Sequence, residues 1–215
     1  MFKSIKTSVV ALILVGSAVI ANAQKKIAEG TLVFAVTANG TTTDVKTKFN
    51  GSLTKIEIEN GPAMVSIISN TADKTGLLLI DVPVAQKQFA VKVSKTETEA
   101  QEALLPKYSD YKATGEKQTI AGFSAEKYTY KDDKGGSHEL WATKDVDIAA
   151  ITNGGFFKGL GALPVKYSAV INGASSDLVL KSLSEAKVGA ISTEIPAGYE
   201  VVTMDELKAM QGGGE

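Results

Sequence analysis

The stretch TLVFAVTANGTTTDVKTKFNGSLTKIEIENG, residues 31–61, decides the fold. Leu32, Phe34 and Val36 share one parity. Val45, Thr47 and Phe49 alternate with Lys46 and Lys48, and Ile56 and Ile58 alternate with Lys55, Glu57 and Glu59. A period of two sends successive side chains to opposite faces of a strand, so each run has an apolar face and a charged or polar one. That is the pattern of an antiparallel sheet with one wet side. Asn39-Gly40, Asn50-Gly51 and Asn60-Gly61 separate the runs and tolerate the positive φ that tight hairpins require.

Toward the C-terminus the same reading continues. Met64 to Ile68, Gly76 to Asp81 and Lys87 to Val93 are strand candidates, with Pro83 marking a turn or an edge. The period then changes. Ala100, Ala103, Leu104, Lys107, Tyr108 and Tyr111 fall at helical spacing. Good helix formers predict a helix from about Thr96 to Leu105, closed by Pro106. Gln118 to Ile120 is a short strand candidate, and Phe123 to Lys131 pairs with Ser137 to Thr143 around the turn Asp132-Asp133-Lys134-Gly135-Gly136. In that hairpin Tyr128 and Tyr130 share one parity, His138 and Leu140 share another, and Trp141 lies opposite.

Between Asp147 and Pro164 the chain is apolar but broken by Gly154, Gly155, Gly159 and Gly161. Ile148 to Thr152 reads as a short helical turn. Val165 to Ile171 and Leu178 to Val188 are strands joined by Asn172-Gly173. Thr203 and Glu206 form a capping box for a last short helix, with Leu207 and Met210 on one side. The sum is a mainly β fold: one curved antiparallel sheet of nine to eleven strands with two or three helices.

Toward the N-terminus lies a different kind of segment. Lys3 and Lys6 precede an uncharged, mostly apolar run from Val9 to Ala21, which ends in Ala21-Asn22-Ala23. This is the three-part pattern of a secretory signal peptide, residues 1–23, with cleavage expected before Gln24. The apolar run is too short for a comfortable membrane span of roughly 20 residues, and no later stretch is apolar enough to be one. The expected organisation is a cleaved leader, a single domain over 24–211 and a flexible tail over 212–215. The expected location is periplasmic or secreted, soluble once the leader is removed.

Composition narrows the chemistry. There is no Cys, so neither a lipid anchor on residue 24 nor a disulfide framework is available. The formal net charge is -1, and every basic residue is Lys. Without the planar, bidentate Arg fork, a sequence-specific nucleic-acid reader is excluded. His138 is the only histidine, which removes the usual transition-metal clusters and Cys-His chemistry. No Gly-x-Ser-x-Gly elbow accompanies it. Asp44, Asp81, Asp145 and Asp147 sit near strand ends, but no spacing selects an acid-base pair. Asp132 and Asp133 lack the spaced ligand loop of a calcium site, and the Gly154–Gly161 run lacks the Lys-Ser/Thr of a phosphate cradle. No catalytic residue, metal or cofactor is expected.

What remains is apolar material. Trp141, Phe156, Phe157, Leu160 and Leu163 could line a cleft between sheet and helix, with Leu104 and Tyr108 on the helix side. The alternative is that the same side chains plug the open side of the sheet. Two functions follow: a non-enzymatic binding or carrier protein for a lipid-like or other apolar small molecule, or an envelope-associated structural or protein-interaction module with a filled core.

Several ordered motifs add to this. Thr119-Ile120-Ala121-Gly122-Phe123, Glu126-Lys127-Tyr128, Glu139-Leu140-Trp141-Ala142-Thr143-Lys144-Asp145, Gly161-Ala162-Leu163-Pro164-Val165, Ile195-Pro196-Ala197-Gly198-Tyr199 and Met204-Asp205-Glu206-Leu207 are the most distinctive. Together they resemble a family of exported Bacteroidota proteins, a periplasmic domain of unknown function. Members often carry Cys where this chain has Ala125. The family is similar to the outer-membrane lipoprotein carrier and lipoprotein-binding superfamily. That resemblance implies a strongly curved, unclosed half-barrel packed around a few helices, with an apolar ligand on its concave side. The carrier itself relies on an Arg that this chain lacks, so the resemblance implies the fold and the apolar surface rather than that carrier's own role.

Overall fold

The computed structural model describes residues 24–152, 156–171 and 173–212. The expected leader over 1–23, the glycines at 154 and 155, Asn172 of the expected turn and the tail from 213 onward lie outside these residues.

In chain order the strands begin with β1 (Lys25–Lys26), β2 (Glu29–Ala38), β3 (Thr41–Asn50), β4 (Leu53–Asn60), β5 (Ala63–Asn70), β6 (Thr75–Val82) and β7 (Lys87–Val93). Helix α1 (Lys95–Leu104) leads into β8 (Tyr108–Ile120), β9 (Phe123–Asp132), β10 (Ser137–Thr143) and β11 (Val146–Asp147). A short helix α2 (Ala149–Thr152) precedes β12 (Leu163–Ile171) and β13 (Ala174–Ser184), and β14 (Glu200–Val201) precedes α3 (Met204–Gly212). Among the described residues β1 and β11 form a small parallel pair. The other twelve strands form one sheet in the order β14-β7-β6-β5-β4-β3-β2-β13-β12-β10-β9-β8.

Two antiparallel meanders make this sheet, with β14 added parallel to β7 at one edge. One runs from β2 to β7, and the other from β8 through β10 to β12 and β13. They join where β13 lies against β2, with Leu178 opposite Val36 and Leu180 opposite Phe34. Hairpin chemistry explains the first meander. Ala38 pairs with Thr41, and the two residues between them, Asn39 and Gly40, have φ of 50° and 77°. Positive φ at both positions matches the right-handed twist of the flanking strands.

The sheet is wider than the nine to eleven strands expected, and one element changes identity. The helix is where the spacing placed it, to within a residue. The run through Lys107, Tyr108 and Tyr111, however, is extended, because β8 begins at Tyr108. The expected short strand at Gln118–Ile120 is only the end of this 13-residue strand. Two register shifts, at Ser109/Lys112 and Ala113/Lys117, break its alternation and hide it from a period-two reading. At the other end β13 stops at Ser184, short of the expected Val188.

The sheet curls without closing. β6 and β8 stand nine positions apart in the strand order. In a flat sheet, at about 4.8 Å per strand, they would be roughly 40 Å apart. Yet Leu78 of β6 and Tyr108 of β8 line one cleft. The outermost strands β14 and β8 do not pair with each other, so the sheet stays open.

Register shows which side faces in. Leu32, Thr47, Ile56, Ile67, Leu78 and Val91 pair in succession across β2 to β7, so their side chains stand in one row on one face. Leu32 belongs to a core with Phe49, Leu163, Val165, Leu180 and Ile148. Val91 is covered by Val202 and Leu207 at the start of α3. The opposite face is wet over β3 and β4, where Lys46, Lys48, Lys55 and Glu57 project. Over β5 to β7 it is covered, because Ile191, Ile195 and Tyr199 pack on Ile68, Leu77, Leu79 and Ala90.

Candidate functional site

A cleft of about 640 Å³ lies between the β5–β6 hairpin, α1 and the start of β8. Its apolar lining comes from Ile67, Leu78, Val93, Leu105, Tyr108 and Phe156. The row of paired residues described above explains the floor. Both ends of that row are buried, by the main core at Leu32 and by α3 at Val91, but Ile67 in its middle remains 39% exposed. Ile58, one strand over on the same face, is also 39% exposed. Apolar sheet surface is therefore left uncovered in the middle of this face.

Helix α1 spans the cleft without filling it. No residue of α1 is buried, and Leu104 is 86% exposed. What holds the helix is polar. The Ser94 hydroxyl accepts a hydrogen bond from Glu97 N at 3.3 Å, and the Glu97 carboxylate accepts from Ser94 N at 2.8 Å, a complete capping box. Lys74, in the β5–β6 turn, reaches Glu102 at 2.9 Å and Glu99 at 3.4 Å on the helix. The Glu102 hydrogen bond holds the Lys74 ammonium above the usual lysine range. Helices attached by caps and exposed ion pairs rather than by packed apolar area open at low free-energy cost.

The cleft wall at Tyr108 is backed by aromatic rings. Tyr108 stacks on Phe157 with ring centroids 5.5 Å apart and meets Tyr130 edge-on at 4.9 Å. Phe157 meets Tyr167 edge-on at 4.9 Å, and Tyr167 meets Phe34 at 6.2 Å. Burial pushes the hydroxyls of Tyr111 and Tyr167 up to about 12. It also raises Tyr108 and Tyr130, helped at Tyr108 by the Asp132 charge. These phenols stay neutral at any physiological pH, so this aromatic wall is uncharged.

The residues singled out in the sequence divide. Phe156 and Tyr108 line the cleft, although Tyr108 arrives on a strand and not on the helix. Phe157 and Leu160 are buried behind it at 7% exposure each. Leu163 is fully buried on β12 in the main core. Trp141 is half-buried against that same core, where it pairs with Lys127 and Lys166, and Leu104 projects into solvent. Core filling therefore accounts for Phe157, Leu160 and Leu163, and among the described residues of the glycine-rich insert it is the turn with Phe156 and Lys158 that reaches the cleft. Sequence reasoning missed Ile67, Leu78, Val93 and Leu105. The first three look like ordinary strand residues, and only the curl of the sheet brings them opposite Phe156.

Elsewhere polar side chains serve the backbone. Asp132 accepts hydrogen bonds from Lys134 N at 2.9 Å and Gly136 N at 2.7 Å, and pairs with His138 Nε2 at 2.7 Å. The His138 hydrogen bond and these amides hold its carboxyl below the usual range. The turn residue Asp132 and the lone histidine thus organise a hairpin. Among the described residues no three His, Asp or Glu side chains gather as metal ligands, and no helix is long and apolar enough to cross a membrane.

Comparison with known proteins gives a family and distant structural likenesses. Two crystal forms of PNGF-II share 16% and 14% identity with this chain over 85% and 86% of its length, with TM-scores of 0.47 and 0.48. The chain spans only about a third of PNGF-II, 32% and 33% in the two forms. A DUF1329 family protein from Desulfovibrio piger shares 13% identity over 77% of this chain and 88% of its own, with a TM-score of 0.24. At such values these likenesses say nothing about function. Among curated proteins none matches the sequence. The family match covers residues 28–153, from the first long strand past α2, and the chain belongs to DUF4412, a family defined by a domain of unknown function.

Proposed function

We propose that this protein binds a lipid-like molecule in the cleft between α1 and the concave sheet, as a non-enzymatic carrier or sensor working outside the cytoplasm. The observation that carries this reading is the apolar floor, exposed at Ile67 and half-buried at Leu78, which together with Phe156 lines a space of about 640 Å³. Small-molecule sites are typically preformed, mostly apolar clefts of roughly 300–1,000 Å³. Each buried methylene contributes about 0.8 kcal/mol. Association costs roughly 4–15 kcal/mol in lost freedom. Only a ligand with a long chain gains enough from such a floor. The signal-like leader supports the location, and the scattered carboxylates support the absence of chemistry.

The test is titration of the purified chain with a fluorescent fatty acid, alongside Ile67→Glu. Ile67 is exposed enough to accept a charge without unfolding the sheet, and a carboxylate there penalises an apolar ligand. Saturable binding, weakened at least about tenfold by the substitution, supports the proposal. No binding to the native chain overturns it. The interaction-module reading draws on Val170, 68% exposed at the end of β12, and it gains if crosslinking captures a partner there while the cleft takes up no lipid.

A further inference from the structure

The cleft is amphipathic, and its lining is net positive. Four charged residues line it: Lys74, Lys107, Lys158 and Glu102. Glu102 is already matched by Lys74, which also holds Glu99. Lys107 and Lys158 make no ion pair with any carboxylate among the described residues, and both are exposed. Lys107 follows Pro106 at the exit of α1, and Lys158 follows Phe156 and Phe157 on the insert. Both neighbour aromatic lining residues in sequence, Lys107 beside Tyr108 and Lys158 two residues after Phe156, and all four line the same cleft as Ile67 and Leu78. The chain as a whole is slightly acidic, with a formal net charge of -1. Two exposed, unmatched ammonium groups lining an apolar cleft are thus a local feature and not a reflection of bulk charge.

Resting on the binding role proposed above, we infer that the ligand is a single-chain amphiphile with an anionic head, whose chain lies on Ile67 and Leu78 and whose head is held by Lys107 and Lys158. Low-dielectric walls focus the field of like charges at a cleft mouth. Ammonium–carboxylate or ammonium–phosphate hydrogen bonds are among the stronger polar contacts. A cationic head is repelled by the same pair. Neutral donors and acceptors on Thr98 and Gln101 add to the polar lining and suit the head's remaining oxygens. The cleft volume matches one chain, which argues against a two-chain phospholipid.

Displacement of a neutral, hydrocarbon-tailed fluorescent probe decides the matter, with palmitate, hexadecanol, hexadecyltrimethylammonium and inorganic phosphate as competitors. Palmitate is expected to compete at least about tenfold more strongly than hexadecanol, and the cationic amphiphile more weakly than either. In a Lys107→Gln/Lys158→Gln variant the palmitate preference disappears while hexadecanol competes as before. Both lysines are exposed, so the variant keeps its fold, checked by circular dichroism. Equal competition by palmitate and hexadecanol in the native chain overturns the inference and leaves the binding role intact. A palmitate preference that survives in the double variant overturns the assignment to these lysines. Displacement by inorganic phosphate as strong as by palmitate overturns the amphiphile in favour of a plain anion site. No probe uptake at all removes the binding role and the inference together.

Discussion

The hydroxyl of Tyr199 donates a 2.6 Å hydrogen bond to Asp81, which lies 118 residues earlier in the chain on β6. The other Asp81 oxygen accepts from Gln88 Nε2 at 2.6 Å. Gly198 makes the turn that aims the ring, with φ of 94°. Ile191, Ile195 and Tyr199 then pack on the outer face of β5 to β7. The Ile195-Pro196-Ala197-Gly198-Tyr199 stretch is therefore a clamp that covers the back of the cleft floor. Removing the hydroxyl in Tyr199→Phe is expected to lower stability by about 1.5 kcal/mol, the range for a hydrogen bond to a charged acceptor. Urea denaturation measures it. An unchanged midpoint would show that the clamp is held by its apolar contacts alone.

Gly30 has a different constraint, since its φ is unexceptional and space is what it lacks. A Cβ at this position would collide with the Ser184 carbonyl oxygen and sit 3.0 Å from Phe49 Cζ. Phe49 is fully buried, so neither neighbour has room to retreat. Gly30→Ala must push β13 away from β2 or displace Phe49. The expected cost is about 1–3 kcal/mol, as for other overpacked cores, read as a lowered thermal midpoint. Gly40→Ala makes a useful contrast, because that residue has open space but a φ of 77°. Its penalty comes from backbone strain, and no core neighbour moves.

Cap removal at α1 separates lid behaviour from fold stability. Ser94→Ala deletes the hydroxyl that receives Glu97 N, while β7 and β8 on either side keep their ladders. The helix loses about 1 kcal/mol. Because α1 buries no side chain, global unfolding should shift by less than that, and the loss should be local. Amide hydrogen exchange over residues 95–104 is expected to speed up severalfold while β5 and β6 stay protected. Uniform acceleration across the sheet would show that α1 is part of the folding core. A high-salt buffer should act in the same direction by screening the Lys74 pairs with Glu99 and Glu102.

Much of this architecture is legible in residues 31–61 because each signal there is local. Parity, charge and Asn-Gly turns act within ten residues, and the structure repeats them strand for strand. The resemblance to a half-barrel fold anticipated the open curl. What the sequence conceals is any feature that depends on two distant segments. Tyr108 and Tyr111 sit at helical distance from Leu104, yet they are extended because pairing with β9 outweighs a coincidence of spacing. Leu163 and Phe156 look alike in an apolar, glycine-rich stretch. One is sealed in the core by β2, β3 and β13, and the other faces the cleft. Ala125 illustrates the opposite case. Its exposure is zero, so a small side chain suits the buried position.

Alkaline pH should weaken the fold, and the direction follows from the buried phenols. Tyr111, Tyr167 and Tyr199 are each pushed up to about 12, chiefly by burial and, for Tyr199, also by the Asp81 hydrogen bond. In the unfolded chain tyrosine ionises near about 10. The folded state therefore keeps these protons longer, and between about pH 10 and pH 12 the unfolded state binds fewer protons, so stability falls as pH rises. Below about pH 10 both states are neutral at these sites and the contribution is fully present. Denaturant midpoints measured upward from about pH 8 should be flat with respect to these groups until about pH 10 and then decline. Tyrosinate absorbance should rise late and together with loss of the sheet signal by circular dichroism. Early ionisation of all six tyrosines with the sheet signal intact would show that the aromatic wall is wet, and would remove the basis for an uncharged surface beside the cleft.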